Sequence, residues 1–448
     1  MPTDIAVIGL ACRFPDAPDP AAFWANILAR RASFREVPEE RWPQSRLTAT
    51  MRKDRGIDCL PYGAFIDGIE LFAGPHFGMA PRRVDAMDPQ QRLMLEVVRE
   101  ALQDAGLERR PFDRRRTATF VGACVSEYSA VSTLAWRLRQ LEVGQFGDEL
   151  EVDASLRIAK RVKGIRSYTL PGVLVSMCAT LVAQTFDLGG PAFTMDAACA
   201  SSLSAVVQAC THLRGLPPRR GDAPVAIAGG VYLQLVPDCM VGFTQVGAIG
   251  NAQCRPFDAN ACGFLMGEGV GAVVLKRLED AVADGDPVYA VVRGAAWNSD
   301  GKGDNPSQPS AAGQREVIEM GLEHAAIDPS TIGYVECHGT ATALGDSIEL
   351  QALSESIGAV ARPRLGAVKA NIGHALGAAG IAGFMRACLA VHHGVLPPQT
   401  GFEQWHPDLA RFTPLFELST DATPWQGFRR AAVSSFGFGG ANSFVLID

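Results

Sequence analysis

One cysteine and two histidines stand out in this chain as residues that could act together. Cys199 lies in Asp196-Ala197-Ala198-Cys199-Ala200-Ser201-Ser202, His338 in Glu336-Cys337-His338-Gly339-Thr340, and His374 in Lys369-Ala370-Asn371-Ile372-Gly373-His374. A soft thiol can take up an acyl group. Two neutral imidazoles can hydrogen-bond a thioester carbonyl while it becomes an enolate during decarboxylation. Together they suit carbon–carbon bond formation on thioesters.

The elements around them set these residues apart from others of their type. An apolar, β-prone run at residues 191–195 precedes Cys199, and the small and aliphatic residues 201–207 that follow read as a buried helix. A thiol at such a junction sits at the positive end of the helix dipole, which favours thiolate and later an oxyanion. His338 and His374 follow runs that read as strands ending in tight turns, residues 332–336 and 365–369. Loops held by strands are common seats for catalytic groups. Cys12, Cys124, Cys178, Cys210, Cys254 and Cys388 lack such surroundings and read as small buried hydrophobes. His76, His212, His324, His392, His393 and His406 read as structural or solvated.

Further polar residues cluster in the second half. Thr340 and Thr342 are spaced to point the same way from an extended segment, so their hydroxyls can hydrogen-bond a long amide-bearing arm. Asp346 and Glu349 stand three apart in the first turn of an expected helix, where Asp346 reads as a cap or dipole residue. Lys369 follows an apolar strand and could pair with such an acid. Ser434-Ser435-Phe436-Gly437-Phe438-Gly439-Gly440-Ala441-Asn442 has the glycine spacing of a loop that brings a backbone N–H to an oxyanion. It is not a dinucleotide fingerprint, and no glycine-rich stretch ends in Gly-Lys-Ser/Thr.

With these residues in this order, the chain resembles the β-ketoacyl synthases, the condensing domains of polyketide and fatty-acid synthases. Ile5-Ala6-Val7-Ile8-Gly9-Leu10-Ala11-Cys12-Arg13-Phe14-Pro15, Ala86-Met87-Asp88-Pro89-Gln90-Gln91-Arg92, Arg255-Pro256-Phe257-Asp258-Ala259 and Gly267-Glu268-Gly269 carry the resemblance across nearly the whole sequence. It implies a thiolase-like duplicated α/β fold of five layers, α-β-α-β-α. The whole chain would be one ketosynthase domain, with residues 1–255 carrying the nucleophile and 256–448 both histidines. Cys199 would accept the growing acyl chain, while His338 and His374 would bind and decarboxylate a malonyl-type extender. The backbone amides of Cys199 and Phe438 would form the oxyanion hole. Lys369 and Glu349 match a supporting charged pair, and Thr340 and Thr342 match pantetheine-binding threonines. Phe436, Gly437, Phe438, Gly439 and Gly440 would form a gating loop.

The chain departs from the common pattern at Ala341, in His338-Gly339-Thr340-Ala341-Thr342, at Ser347, and at Cys262, where an aspartate is usual. Asn442-Ser443-Phe444-Val445 and Gly377-Ala378-Ala379-Gly380 lean toward discrete fatty-acid-type synthases.

Composition fits an intracellular globular enzyme: 448 residues, 47% hydrophobic and 20% charged. No apolar run reaches a membrane span, and the N-terminus has no signal core, so a cytoplasmic protein is expected. Eleven cysteines without a regular framework fit a reducing compartment. A net charge of −7 argues against general nucleic-acid affinity. Arg114-Arg115-Arg116 reads as a solvated face. Arg157, Lys160, Arg161, Lys163 and Arg166 could dock an acidic partner. The resemblance supplies that partner, an acyl carrier protein whose phosphopantetheine arm bears the substrates, and implies a homodimer needing no metal or nucleotide of its own. Residues 29–62 and 133–170 read as insertions. The alternatives are a thiolase or chalcone-synthase-like acyltransferase, a decarboxylase without condensation, and a noncatalytic chain-length-determining protein. Retention of Cys199 with both histidines counts against each.

Overall fold

The computed structural model describes residues 3–43, 61–134, 137, 138, 140, 145, 165–217, 221–251, 253–303, 305 and 308–448. Ten strands form one mixed sheet system. They are β1 (Ile5–Arg13), β2 (Ala118–Gly122), β3 (Ala192–Met195), β4 (Ala226–Tyr232), β5 (Gly269–Arg277), β6 (Ala290–Ser299), β7 (Tyr334–Glu336), β8 (Arg364–Gly366), β9 (Ala431–Gly437) and β10 (Ala441–Ile447). Their order is β8-β7-β9-β10-β6-β1-β5-β4-β2-β3.

This order contains a repeat. Outward from the antiparallel β1–β6 seam, the first five strands run β1-β5-β4-β2-β3 and the second five β6-β10-β9-β7-β8. Pair directions repeat as well, two antiparallel and then two parallel in each set. The change from one set to the other falls between Arg277 and Ala290, not near residue 255, because Gly269–Arg277 pairs with β1 and β4 inside the first set.

Helices fill the spaces around the two sets. Helices α1 (Pro89–Asp104) and α2 (Met177–Thr185) pack on the outer face of the first, and α4 (Ala311–Ala325) and α5 (Ala343–Leu353) on the outer side of the second. Between them lie α3 (Ser201–Gly215) and α6 (Ala379–His393), in contact with each other and with strands of both sets. The result is five layers with three apolar cores. Sequence explains the central layer. Residues 379–391 of α6 are all buried, and the small residues of α3 and α6 let the helices approach closely. A β-carbon on Gly380 would come within 2.6 Å of the Leu203 nitrogen. The hydroxyls that enter this layer are satisfied internally: Ser202 Oγ accepts the Ile381 N–H at 2.9 Å, and Ser204 and Ser443 hydroxyls bond at 2.8 Å. The Asp88-Pro89 motif starts α1, its aspartate accepting the Gln90 N–H at 2.8 Å with proline in the first turn.

The expected strand over 365–369 ends at Gly366, and Lys369 opens a single helical turn, Lys369–Ile372. Arg114–Arg116 forms a short 3₁₀ turn in which Arg116 pairs with Asp113 at 2.6 Å and Arg114 donates to the Phe186 carbonyl at 2.6 Å. Residues 44–60, most of 133–170, and Arg157, Lys160, Arg161 and Lys163 lie outside the described residues. No helix among the described residues is long and apolar enough to cross a membrane.

Candidate active site

The chain leaves β3 at Met195 and enters α3 at Ser201, so Cys199 occupies a strand-to-helix elbow. The elbow is strained, since Ala198 has a φ of +49°, which costs a residue with a β-carbon about 1–2 kcal/mol. Its braces are local and long-range. The Asp196 carboxylate accepts the Ala198 N–H at 2.9 Å, and Ser201 Oγ accepts the Ala197 N–H at 2.9 Å while donating to the Ala198 carbonyl at 2.6 Å. Ser435, on β9, donates its hydroxyl to the Cys199 carbonyl at 2.9 Å. A β-carbon on Gly437 would lie 2.2 Å from the Ala197 carbonyl oxygen, so only glycine lets β9 come this close.

That approach brings the Phe438 backbone N–H to the cysteine. This N–H and that of Cys199 itself both favour the thiolate form of the sulfur. The thiol is not poised as a thiolate, however. Burial pushes its pKa up, and the Lys369 charge and the two N–H groups only partly offset this. At rest the group is S–H, contrary to what the helix dipole alone suggests.

His338 follows β7, and its ring is fixed by what meets Nδ1. The Phe436 N–H donates to Nδ1 at 3.3 Å, and Lys369 Nζ lies 3.5 Å away. An Nδ1 that accepts a proton donor places the ring hydrogen on Nε2. His374 is buried, held by its N–H to the Leu265 carbonyl at 2.7 Å and by the Gly267 N–H to its own carbonyl at 3.0 Å. Phe264 meets its ring edge-on, centroids 4.9 Å apart. His374 Nδ1 is buried with no hydrogen-bond partner among the described residues, and the residue lines the cavity. The two imidazoles stand nearly perpendicular with centroids 5.6 Å apart. Burial first, then the charge of Lys369, holds both well below the usual histidine range, so both are neutral near pH 7.

Lys369 and Glu349 do not pair directly. Glu349 accepts the His338 N–H at 2.6 Å and the Gly339 N–H at 2.8 Å, while Lys369 donates to the His338 carbonyl at 2.6 Å. The pair clamps the backbone of His338 from both sides. Asp346 is more than a helix cap: it accepts the N–H groups of Ala341 at 3.0 Å and Phe257 at 2.7 Å, fixing two residues with φ of +57° and +65°. Alanine at 341 thus occupies the left-handed conformation that the commoner glycine would adopt freely. Burial raises the carboxyls of Glu349 to about 7 and Asp346 to about 8.

Cys199, His338 and His374 line one cavity of about 310 Å³, together with Thr340 and Thr342. The threonine hydroxyls lie 3.0 Å apart on one side of the chain, as the two-residue spacing requires. A second cavity, of about 350 Å³ with an almost wholly apolar wall, meets the first at Cys199, Phe243, Val246 and Phe438. Cys124 lines it and is only half-buried, so the default of a sealed small hydrophobe does not hold there. Of the loop residues, Phe436 is buried beside His338, with ring centroids 5.7 Å apart, while Phe438 is 52% exposed at the mouth. Gly439 and Gly440 line the same mouth.

Sequence reasoning missed the supports behind His338. Glu336 accepts from the Val368 N–H at 2.7 Å, the Tyr334 hydroxyl at 2.5 Å and Arg386 at 3.1 Å, and both charged groups are fully buried. A lone arginine in the apolar run of α6 was the available signal. Glu268, from the Gly267-Glu268-Gly269 motif, is likewise a buried brace: it pairs with Arg41 at 2.9 Å and accepts the Gln234 N–H at 2.9 Å.

Comparison with known proteins agrees with this geometry. The model for the N-terminal domain of β-ketoacyl synthases matches residues 3–281, and that for the C-terminal domain matches residues 289–403. The chain belongs to the β-ketoacyl synthase family, acyl-transferring condensing enzymes with a thiolase-like fold. It is 41% identical over 99% of its length to one phenolphthiocerol/phthiocerol polyketide synthase polypeptide of Mycobacterium tuberculosis H37Rv, of which it covers 22%. It is 39% identical over 99% of its length to another polypeptide of that synthase, from Mycobacterium bovis, covering 27% of it. The chain thus spans only about a quarter of these curated relatives. Among solved structures it resembles the oxazolomycin ketosynthase domain OzmH KS7 of Streptomyces albus JA3453, with a TM-score of 0.85, 33% identity, and coverage of 99% of this chain and 75% of that one. The ketosynthase from module 6 of the bacillaene synthase of Bacillus subtilis 168 gives a TM-score of 0.82 at 30% identity, covering 99% and 72%. These relatives are polyketide enzymes, which does not support the lean toward fatty-acid-type synthases drawn from residues 377–380 and 442–445.

Proposed function

We propose that this chain is a ketosynthase domain that joins an acyl group to a malonyl-type thioester by decarboxylative Claisen condensation in polyketide biosynthesis. The observation that carries the reading is one cavity bordered by a thiol at a strand-to-helix elbow and by two neutral imidazoles.

In the first half-reaction the Cys199 sulfur attacks the acyl thioester carbonyl. A carbon–sulfur bond forms to Cys199, the bond to the carrier thiol breaks, and that thiol leaves with the proton from Cys199. The N–H groups of Cys199 and Phe438 hold the intermediate oxyanion. In the second, the Nε2–H of His338 and the Nε2 side of His374 take the carbonyl of the malonyl-type thioester. Its carboxylate bond breaks, carbon dioxide leaves and the electron pair becomes the enolate. The enolate carbon then attacks the acyl carbonyl on Cys199, the carbon–sulfur bond to Cys199 breaks, and the departing thiolate takes a proton from solvent. Burial and, second to it, the like charge of Lys369 keep the imidazoles neutral, and Lys369 with Glu349 fixes the His338 backbone. Thr340 and Thr342 would hydrogen-bond the pantetheine arm that an acyl carrier protein brings, and Phe436 to Gly440 would gate the junction of the two cavities.

We read the repeated strand order as one domain of two thiolase-like halves. A homodimer accords with the edge strand β3, which among the described residues pairs only with β2 and leaves Phe193 42% exposed. A cytoplasmic location goes with a chemistry that needs a free thiol. Incubation with an acyl thioester followed by mass spectrometry tests the reading. An adduct on Cys199 that malonyl-thioester discharges as a β-ketoacyl product supports it, and absence of that adduct favours a noncatalytic binding role. Sedimentation of wild type and Phe193→Asp tests the dimer.

A further inference from the structure

The apolar cavity beside Cys199 has polar atoms in its wall that are already committed. Cys124 Sγ lies 3.0 Å from the Ala198 carbonyl and 3.3 Å from Ser201 Oγ. The Cys239 thiol is in the field of the Glu127 carboxylate, which accepts the Tyr232 hydroxyl at 2.9 Å and the Leu235 and Val236 N–H groups at 2.7 and 2.9 Å. Burial foremost raises both thiols, Cys239 to about 12, so neither offers a charge. The remaining side chains here are hydrocarbon, with Val125, Phe243, Val246 and Leu376 the largest besides Phe438.

Resting on the condensing reading above, we propose that this cavity selects acyl groups whose β-carbon bears no oxygen, that is, saturated alkyl thioesters. A β-hydroxyl carried in on Cys199 would lose its water and find no free partner, whereas a methylene gains from burial. An apolar site rejects an added hydroxyl only modestly, so the discrimination in loading is about ten- to a hundredfold. The reaction that supplies this substrate is then complete reduction at the β-carbon of a preceding β-ketoacyl thioester, or loading of a fatty acyl group.

The test compares hexanoyl and 3-hydroxyhexanoyl N-acetylcysteamine thioesters on the wild-type chain. Cys199 acylation is followed by intact mass and peptide mapping, and each rate is normalised to uncatalysed transfer to glutathione. Hexanoyl loading faster by ten- to a hundredfold is the expected result. Equal rates, or faster 3-hydroxyhexanoyl loading, overturn the selectivity while leaving the condensing reading in place. No adduct on Cys199 from either thioester overturns that reading and the selectivity with it.

Discussion

Glu349 and Lys369 hold opposite sides of one residue's backbone: the Glu349 carboxyl accepts the N–H of His338 and the Lys369 ammonium donates a hydrogen bond to its carbonyl, each at 2.6 Å. Glu349→Ala leaves two buried N–H groups without acceptors, a loss of about 2–4 kcal/mol in stability. It also frees the His338 loop, so carbon dioxide release slows more than loading of Cys199. Glu349→Gln keeps one acceptor and restores part of both. Urea unfolding with separate loading and decarboxylation rates checks this, and a variant of unchanged stability and rates would remove the clamp.

Cys199→Ala abolishes acyl loading and condensation, because neither imidazole can replace the sulfur as acyl carrier. His374→Ala leaves loading largely intact and slows carbon dioxide release by about 10²–10³-fold, the usual loss of one donor to a developing oxyanion. Normal release from the His374 variant would reject its part in decarboxylation.

Thr340→Val and Thr342→Val each remove one neutral hydrogen bond of about 1 kcal/mol. Since the arm is held alike in ground and transition states, KM for a carrier-borne thioester rises about fivefold with kcat little changed. An equal loss in kcat would place these hydroxyls in the chemistry instead.

Both histidines have folded-state pKa values depressed below 6.5. Carbon dioxide release therefore does not fall as pH is lowered through 6.5, and correlated ¹⁵N–¹H spectra show two neutral rings at pH 6. A titration of either ring near 6.5 contradicts the assignment.

Glu268 behaves oppositely to a surface carboxylate, since burial outweighs Arg41 and raises its pKa from 4.5 to about 7. The folded state holds a proton that the unfolded state releases. The contribution is therefore fully present below about pH 4.5 and lost as pH rises to about 7. In Glu268→Gln the difference in unfolding free energy between pH 5 and pH 7.5 shrinks by on the order of 2–3 kcal/mol. An unchanged difference would show the carboxyl ionised in the fold.

Much of the site was legible because its chemistry is written in residue type and short spacing. Cys199 before a run of small residues, two histidines after apolar strands, and threonines two apart needed no coordinates. The nucleophile's elbow also followed from local pattern, since an apolar, β-prone run giving way to small and aliphatic residues marks the junction. The thiol's resting state did not, because burial is a sum over the whole fold and here outweighs the helix end. The direct Lys369–Glu349 pair failed for a related reason. Complementary charges in a sequence do not show whether backbone groups lie between them.

By itself the sequence determined which groups can react and roughly which elements carry them, since nucleophilicity and periodicity are local properties. Only the tertiary structure decided that Cys199 and the Phe438 N–H, 239 positions apart in number, share one point in space. It also decided that Glu336 and Arg386 are buried behind His338 and that the thiol stands where the histidine-lined cavity meets an almost wholly apolar one. Those relations arise from packing two sets of strands around a common helical layer, and no stretch of chain encodes such contacts alone.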